Sequence, residues 1–186
     1  MKRVLDVFLA LAALAALGLP MLIIALVVRL TSPGTALYWS DRVGRGGRLF
    51  RMPKFRTMRT DTPALATHLM TDPGRYLTSV GGFLRRSSLD ELPQLYCILR
   101  GDMSFVGPRP ALFNQTDLIS LRAASGVEGL HPGLTGWAQV NGRDDLDVPD
   151  KAAFDAEYLA KRSFLFDLRI LLMTFRRVFT SAGVRH

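Results

Sequence analysis

The sequence predicts a mainly α-helical protein with one small β-hairpin, an α+β chain held on a membrane surface without crossing it. Three observations carry this expectation: the uncharged run Val7 to Val28, helical spacing of apolar residues through much of the chain, and one pair of β-prone runs around a glycine-rich turn. With 186 residues the chain suits a single domain. It divides into a membrane segment, residues 1–30, and one integrated domain facing the cytoplasm, residues 31–186.

The apolar run would extend roughly 33 Å as a straight helix, enough to span a bilayer core. Gly18 and Pro20 lie in its middle, where proline removes a backbone hydrogen bond and clashes with the preceding turn. Basic residues flank it on both sides: Lys2 and Arg3 before it, and Arg29, Arg42, Arg45, Arg48 and Arg51 after it. Charges of this sign stay cytoplasmic, so a spanning helix would strand one flank on the wrong side. A helix-break-helix that enters one leaflet and returns, broken at Gly18 and Pro20, satisfies both flanks. A signal peptide fits less well, because the run continues past the small residues Ala13 and Ala15.

A formal charge of +8 with 48% hydrophobic residues points to an anionic membrane surface in preference to nucleic acid. Few aromatics interleave with the basic residues, and the apolar segment has no use in a nucleic-acid binder. The single cysteine, Cys97, excludes an internal disulfide and a cysteine-based zinc cluster, and reads as a packed apolar residue.

Ala36 to Trp39 and Arg48 to Phe55 are the β-prone runs, and "DRVGRGG" between them turns the chain. Residues 60 to 74 read as a polar connector. Apolar positions Leu77, Val80, Phe83 and Leu84 form one helical face, and Leu89, Leu92, Leu95, Tyr96 and Leu99 a second. Residues 101–110 and 126–143, rich in glycine and proline, read as shaped loops, and 111–131 reads as a loop that bears on specificity. From Lys151 onward the chain reads as helical. Its apolar residues interrupted by Arg169, Arg176 and Arg177 suit an interfacial amphipathic helix or a core helix.

The segment "SSLDELPQ", residues 87–94, holds adjacent carboxylates among apolar residues. Ser88 and Glu91 match a capping box, which makes a helix cap one reading of the pair. Pro93 opposes it, since proline past the first turn kinks a helix. Arg85, Arg109, Arg143, Lys54 and Arg56 all lie in compact segments, and arginine forks match phosphate oxygens. Carboxylates amid these cations suggest phosphoryl transfer with a hard divalent metal.

"KFRTM" at 54–58, "SLDELPQL" at 88–95, "LRGDMSFVGPRP" at 99–110 and "PGLTGWAQVNGR" at 132–143 resemble the bacterial sugar transferases, the small monotopic phosphoglycosyl transferases. The resemblance runs over nearly the whole chain. It implies an enzyme at the cytoplasmic face of a bacterial inner membrane that moves a sugar 1-phosphate from a UDP-sugar to a polyprenol phosphate such as undecaprenyl phosphate, releasing UMP, as the first membrane step of glycan assembly. By the same resemblance Asp90 is the nucleophile that forms a phosphosugar-aspartyl intermediate and contacts Mg²⁺, and Glu91 is the second acid of the dyad. Lys54, Arg56, Arg85, Arg109 and Arg143 are the positions expected to hold phosphates and nucleotide. Membrane lipids are expected partners, nucleic acid is not, and a homodimer is compatible with the sequence. Two positions depart from the family pattern: Leu19 precedes Pro20 where serine is common, and His131 stands where arginine often precedes "PGLTGW". The rival from another class is a non-catalytic basic membrane adaptor in which Asp90 and Glu91 only cap a helix.

Overall fold

The computed structural model describes residues 2–63, 72–142 and 145–180. It is mostly helical with one antiparallel hairpin, as expected, and adds a short parallel strand pair. Helix α1 (Lys2–Thr31) is continuous, with Pro20 inside it. The expected break at Gly18 and Pro20 does not separate two helices, because one missing N–H costs a single bond in a segment otherwise saturated with intrahelical bonds.

One stripe of α1 faces the rest of the protein along its length. Asp6 accepts from the Phe105 amide, Ala10 is fully buried, and Ala13 and Leu14 pack on Leu95, Ile98 and Met103. Farther along, Met21, Ile24, Ala25 and Val28 pack with Phe55 and Leu84. The spacing of three, four and seven residues is that of one helical face. Val4, Phe8, Leu11, Leu19, Leu22, Leu26 and Leu30 stay exposed.

Strands β1 (Leu37–Val43) and β2 (Leu49–Phe55) pair with Leu37 opposite Phe55 and Val43 opposite Leu49. β1 runs farther than its β-prone core because Asp41 and Arg42 alternate correctly with Ser40 and Val43. One face of the hairpin carries Ser40, Arg42, Phe50, Met52 and Lys54, and its apolar members enter the core with Leu95, Cys97 and Ile98. Cys97 is fully buried, as expected of a packed apolar residue.

Helix α2 (Gly81–Arg86) leads into a tight 3-10 segment, Leu89–Gln94, and then α3 (Leu95–Arg100). The stretches read as loops contain more regular structure than expected. Strand β3 (Ser104–Val106) lies within 101–110, α4 (Thr116–Ala124) within 111–131, and β4 (Gly133–Thr135) and α5 (Trp137–Asn141) within 126–143. β3 and β4 pair in parallel, Ser104 opposite Gly133 and Val106 opposite Thr135. The C-terminal helical stretch is two helices, α6 (Val148–Lys161) and α7 (Phe164–Thr180), divided at Arg162 and Ser163. The Asp147 side chain caps α6 by accepting from the Asp150 amide at 2.9 Å.

Glycines bring the β3 and β4 ends together. The Gly107 amide donates to the Thr135 carbonyl at 2.9 Å, and the Gly133 amide to that of Pro108 at 2.8 Å. A Cβ on Gly136 would stand 2.0 Å from the Gly107 carbonyl oxygen. Gly136→Ala is therefore expected to destabilise the protein by about 3 kcal/mol, at the upper end of the usual cost of overpacking. Chemical denaturation checks this, and an unchanged midpoint would contradict it.

Candidate active site

Ser88 opens the carboxylate segment in the left-handed region, φ 56°, and its side chain makes no cap bond. The capping box is therefore absent. The Glu91 carboxylate turns the other way, accepting from Lys54 Nζ at 2.8 Å and from Arg109 Nη2 at 3.0 Å. A non-glycine residue at positive φ costs of order 1 kcal/mol or more, and such strain gathers at functional sites. Here it aims two neighbouring acids into one buried space; each is 7% exposed.

Lys54 comes from the inner face of β2, and Arg109 from the loop between Pro108 and Pro110. Arg85, in the last turn of α2, donates to Thr57 Oγ1 at 2.9 Å and interacts with Asp90. Asp90 makes no side-chain hydrogen bond or ion pair among the described residues, although Lys54, Arg85 and Arg109 all act on it electrostatically. Burial raises its carboxyl above the ordinary carboxylate value, Lys54 opposes the rise, and Glu91 adds to it. Burial lowers the Lys54 ammonium, with Glu91 opposing.

The structure thus brings Asp90, Glu91, Lys54, Arg85 and Arg109 together. It turns Arg56 elsewhere: its guanidinium donates to the Pro33 carbonyl and to Thr35 Oγ1, closing the chain's exit from α1. Arg143 lies outside the described residues. His131 forms part of a separate cleft wall, with its pKa lowered chiefly by burial and then by Arg45.

Two further arginines belong to the site. Arg42 sits on the same hairpin face as Lys54, bonds to Ser40 Oγ at 3.0 Å and to the Pro110 carbonyl at 3.2 Å, and faces Glu91 and Arg109. Burial, then Arg109, lowers it to about 10, so it stays charged at neutral pH. Alternation along β1 puts Arg42 on the Ser40 face, and the register with β2 is what joins that face to Lys54. Arg122 of α4 pairs with buried Asp155 at 2.6 Å and donates to the Arg109 carbonyl at 2.9 Å, fixing the loop that presents Arg109.

Among the described residues no three metal-capable side chains gather. Asp90 and Glu91 offer hard oxygen donors, and Asp90 is the one not taken up by an ion pair. That suits Mg²⁺, which uses one or two protein carboxylates and takes its remaining ligands from water and substrate phosphates. The arrangement as a whole provides one buried carboxylate, unpaired among the described residues, inside a cage of fixed cations, the requirement for attack on a phosphate anion.

The family model described as bacterial sugar transferase matches residues 1–181. The chain is 39% identical over its whole length to the "Uncharacterized sugar transferase EpsL" of Bacillus subtilis, covering 90% of that protein. It is 43% identical to the UDP-glucose:undecaprenyl-phosphate glucose-1-phosphate transferase of Caulobacter vibrioides, over 97% of this chain and 70% of that one. A third relative, the UDP-N-acetylgalactosamine-undecaprenyl-phosphate N-acetylgalactosaminephosphotransferase of Aeromonas hydrophila, is 33% identical over 99% of this chain and 45% of its own length. Four motifs in order, a caged carboxylate pair and these matches together show that the chain belongs to the bacterial sugar transferase family.

Proposed function

We propose that the protein transfers a sugar 1-phosphate from a UDP-sugar to a polyprenol phosphate through Asp90. One observation carries this: two adjacent, equally buried acids are treated differently, Glu91 held by two cations and Asp90 making no side-chain hydrogen bond or ion pair among the described residues. In the first step an Asp90 carboxylate oxygen attacks the sugar-bearing phosphorus. The bond from that phosphorus to the bridging oxygen breaks, and UMP departs with the electron pair. In the second step a phosphate oxygen of the lipid attacks the same phosphorus, expels the Asp90 carboxylate and leaves a polyprenyl diphospho-sugar.

Lys54, Arg85, Arg109 and Arg42 supply fixed positive charge around the anionic donor and the pentavalent phosphorus. Glu91 is the organiser of that cage, holding Lys54 and Arg109 at fixed positions. Mg²⁺, held by Asp90, would neutralise diphosphate charge and polarise the leaving group. The relatives' names specify different sugars, glucose and N-acetylgalactosamine, so the donor is assigned as a UDP-sugar by class.

Helix α1 supports a placement at the membrane. Both its ends contact the same domain, Arg3 at Ile98 and Leu99 and Val28 in the cluster with Phe55 and Leu84, while its outer face is apolar. This supports a helix that enters one leaflet and keeps both ends on the cytoplasmic face of the inner membrane. Helix α7 exposes Phe164, Leu165, Leu168, Leu172 and Phe175 on one side, suited to the headgroup boundary. A lipid phosphate at the interface and a soluble nucleotide then meet at one plane.

Incubating the protein with Mg²⁺, undecaprenyl phosphate and a panel of UDP-sugars should release UMP with at least one sugar. Silence across a broad panel would favour the adaptor. Cysteines introduced at Val4 and at Thr31 should both react with a membrane-impermeant reagent only from the cytoplasmic side. Labelling from opposite sides would end the monotopic placement.

A further inference from the structure

A second basic feature lies away from the carboxylates. The hairpin turn, the end of α3 and the His131 loop enclose an open cleft of about 520 Å³ lined by Gly44, Arg45, Arg48, Phe50, Asp102 and His131. Phe50 lines it while Lys54 holds Glu91; four residues of β2 separate them, roughly 13 Å. Neither Arg45 nor Arg48 makes a side-chain hydrogen bond or ion pair among the described residues, and both are exposed. The acid that lines the cleft, Asp102, is engaged, and so is Asp6 beyond it, while Glu128 belongs to the adjoining turn that packs on the hairpin loop. Asp102 pairs with Arg100 at 3.1 Å, and Asp6 accepts the Phe105 amide. Arg3 of α1 packs against Gly101 in the cleft wall, 3.4 Å from where a Cβ would stand, and adds positive charge that acts on His131. Arg45 and Arg48 therefore give the cleft two exposed cations that its one lining acid does not engage among the described residues, an arrangement suited to a phosphate.

What surrounds it says which phosphate. The cleft adjoins the first turn of the apolar helix α1. Leu49, 64% exposed, lines it from the outer face of the hairpin. On that face Arg51 lies over the Trp39 ring at 5.3 Å, Trp39 meets Tyr96 edge to face, and Arg100 lies over Tyr96 at 5.9 Å. Half-exposed aromatics with arginines laid across them are the composition of a membrane–water interface. A soluble nucleotide needs no such belt.

We infer that this cleft binds the phosphate of an anionic membrane glycerophospholipid, fixing the protein's depth and tilt at the headgroup plane. The inference rests on the monotopic placement above, and not on the transfer chemistry. Arg45 and Arg48 grip the phosphate, Gly101 lets it approach the backbone, and neutral His131 adds a hydrogen-bonding group without further charge.

The test uses the full chain in a neutral detergent, titrated with dihexanoyl phosphatidylglycerol, dihexanoyl phosphatidylcholine or UMP, with bound ligand counted by native mass spectrometry. Phosphatidylglycerol should bind, and phosphatidylcholine, without net charge, should bind far more weakly. The Arg45→Gln/Arg48→Gln variant should bind phosphatidylglycerol roughly thirtyfold less tightly, from about 1 kcal/mol per arginine. Arg59→Gln, an exposed arginine elsewhere, should bind as wild type. Equal binding by the double variant would overturn the inference, as would UMP competing with the lipid for the cleft. UMP release from a UDP-sugar, assayed separately, keeps the two readings apart: lipid binding without transfer would sink the proposed activity and leave the cleft standing, and the reverse would do the opposite.

Discussion

Asp90→Asn is expected to lower UMP release by at least about 10³-fold, the scale seen when an enzyme loses its nucleophile, and at the same time to raise the melting temperature at neutral pH. The two effects have one cause. The carboxylate is buried without a hydrogen-bond or ion-pair partner among the described residues, and burial holds its pKa above the ordinary value. A raised folded-state pKa means that the protonated form is the one the fold prefers. That contribution to stability is full below the unfolded-state pKa and is lost as pH rises through the folded-state one. At neutral pH wild type bears the cost of an ionised Asp90, and the neutral amide does not. The stability difference between variant and wild type should therefore shrink as pH falls into the carboxylate range. The acid limb of the activity profile should sit above the ordinary carboxylate value for the same reason. Thermal melts at several pH values, with activity measured in parallel, check both. A variant that is inactive but also less stable would mean that Asp90 serves as a structural ion-pair partner.

Arg122→Ala is expected to cost about 3–5 kcal/mol of stability, because it strands a buried carboxylate. Asp155 has a side chain only 1% exposed, bound by Arg122 at 2.6 Å. Burial already pushes its pKa up, and Arg122 is what opposes the rise. Replacing both residues with leucine should recover most of the lost stability, since a buried ion pair is often no more stabilising than packed apolar groups. It should not recover the activity. Arg122 also holds the Arg109 carbonyl, and without that bond the Pro108 to Pro110 loop no longer fixes the guanidinium against Glu91. A loss of roughly tenfold to hundredfold in kcat is expected to persist in the stable double variant. Urea denaturation and initial rates separate the two effects, and full activity in the double variant would remove Arg122 from the site.

What was readable in advance followed from local chemistry. The hairpin declared itself because alternation and a glycine turn are properties of a short stretch. Asp90, Glu91, Lys54 and Arg109 were readable because the motifs around them are long and specific. Arg42 was not, since only the strand register puts it on the Lys54 face. Arg122 is not legible because 111–131 lacks a clear helical pattern. The signal for α4 was weak, nine residues of low overall hydrophobicity, and the Asp155 partner lies 33 residues onward. β3 and β4 are three residues each and owe their pairing to glycine contacts across the chain, which no window on the sequence contains. The capping box at Ser88 failed for a related reason. Glu91 had two stronger partners, both charged, and a charge-assisted bond outweighs a return bond to a backbone amide.

The most direct measurement is the mass of the protein after brief exposure to a UDP-sugar and Mg²⁺ with the polyprenol phosphate left out. A sugar phosphate should appear on the peptide containing Asp90, with one equivalent of UMP released, and adding undecaprenyl phosphate should discharge it. UMP that appears only when the lipid is present, with no mass gained at Asp90, would mean that the lipid phosphate attacks the nucleotide directly and that Asp90 is not the nucleophile.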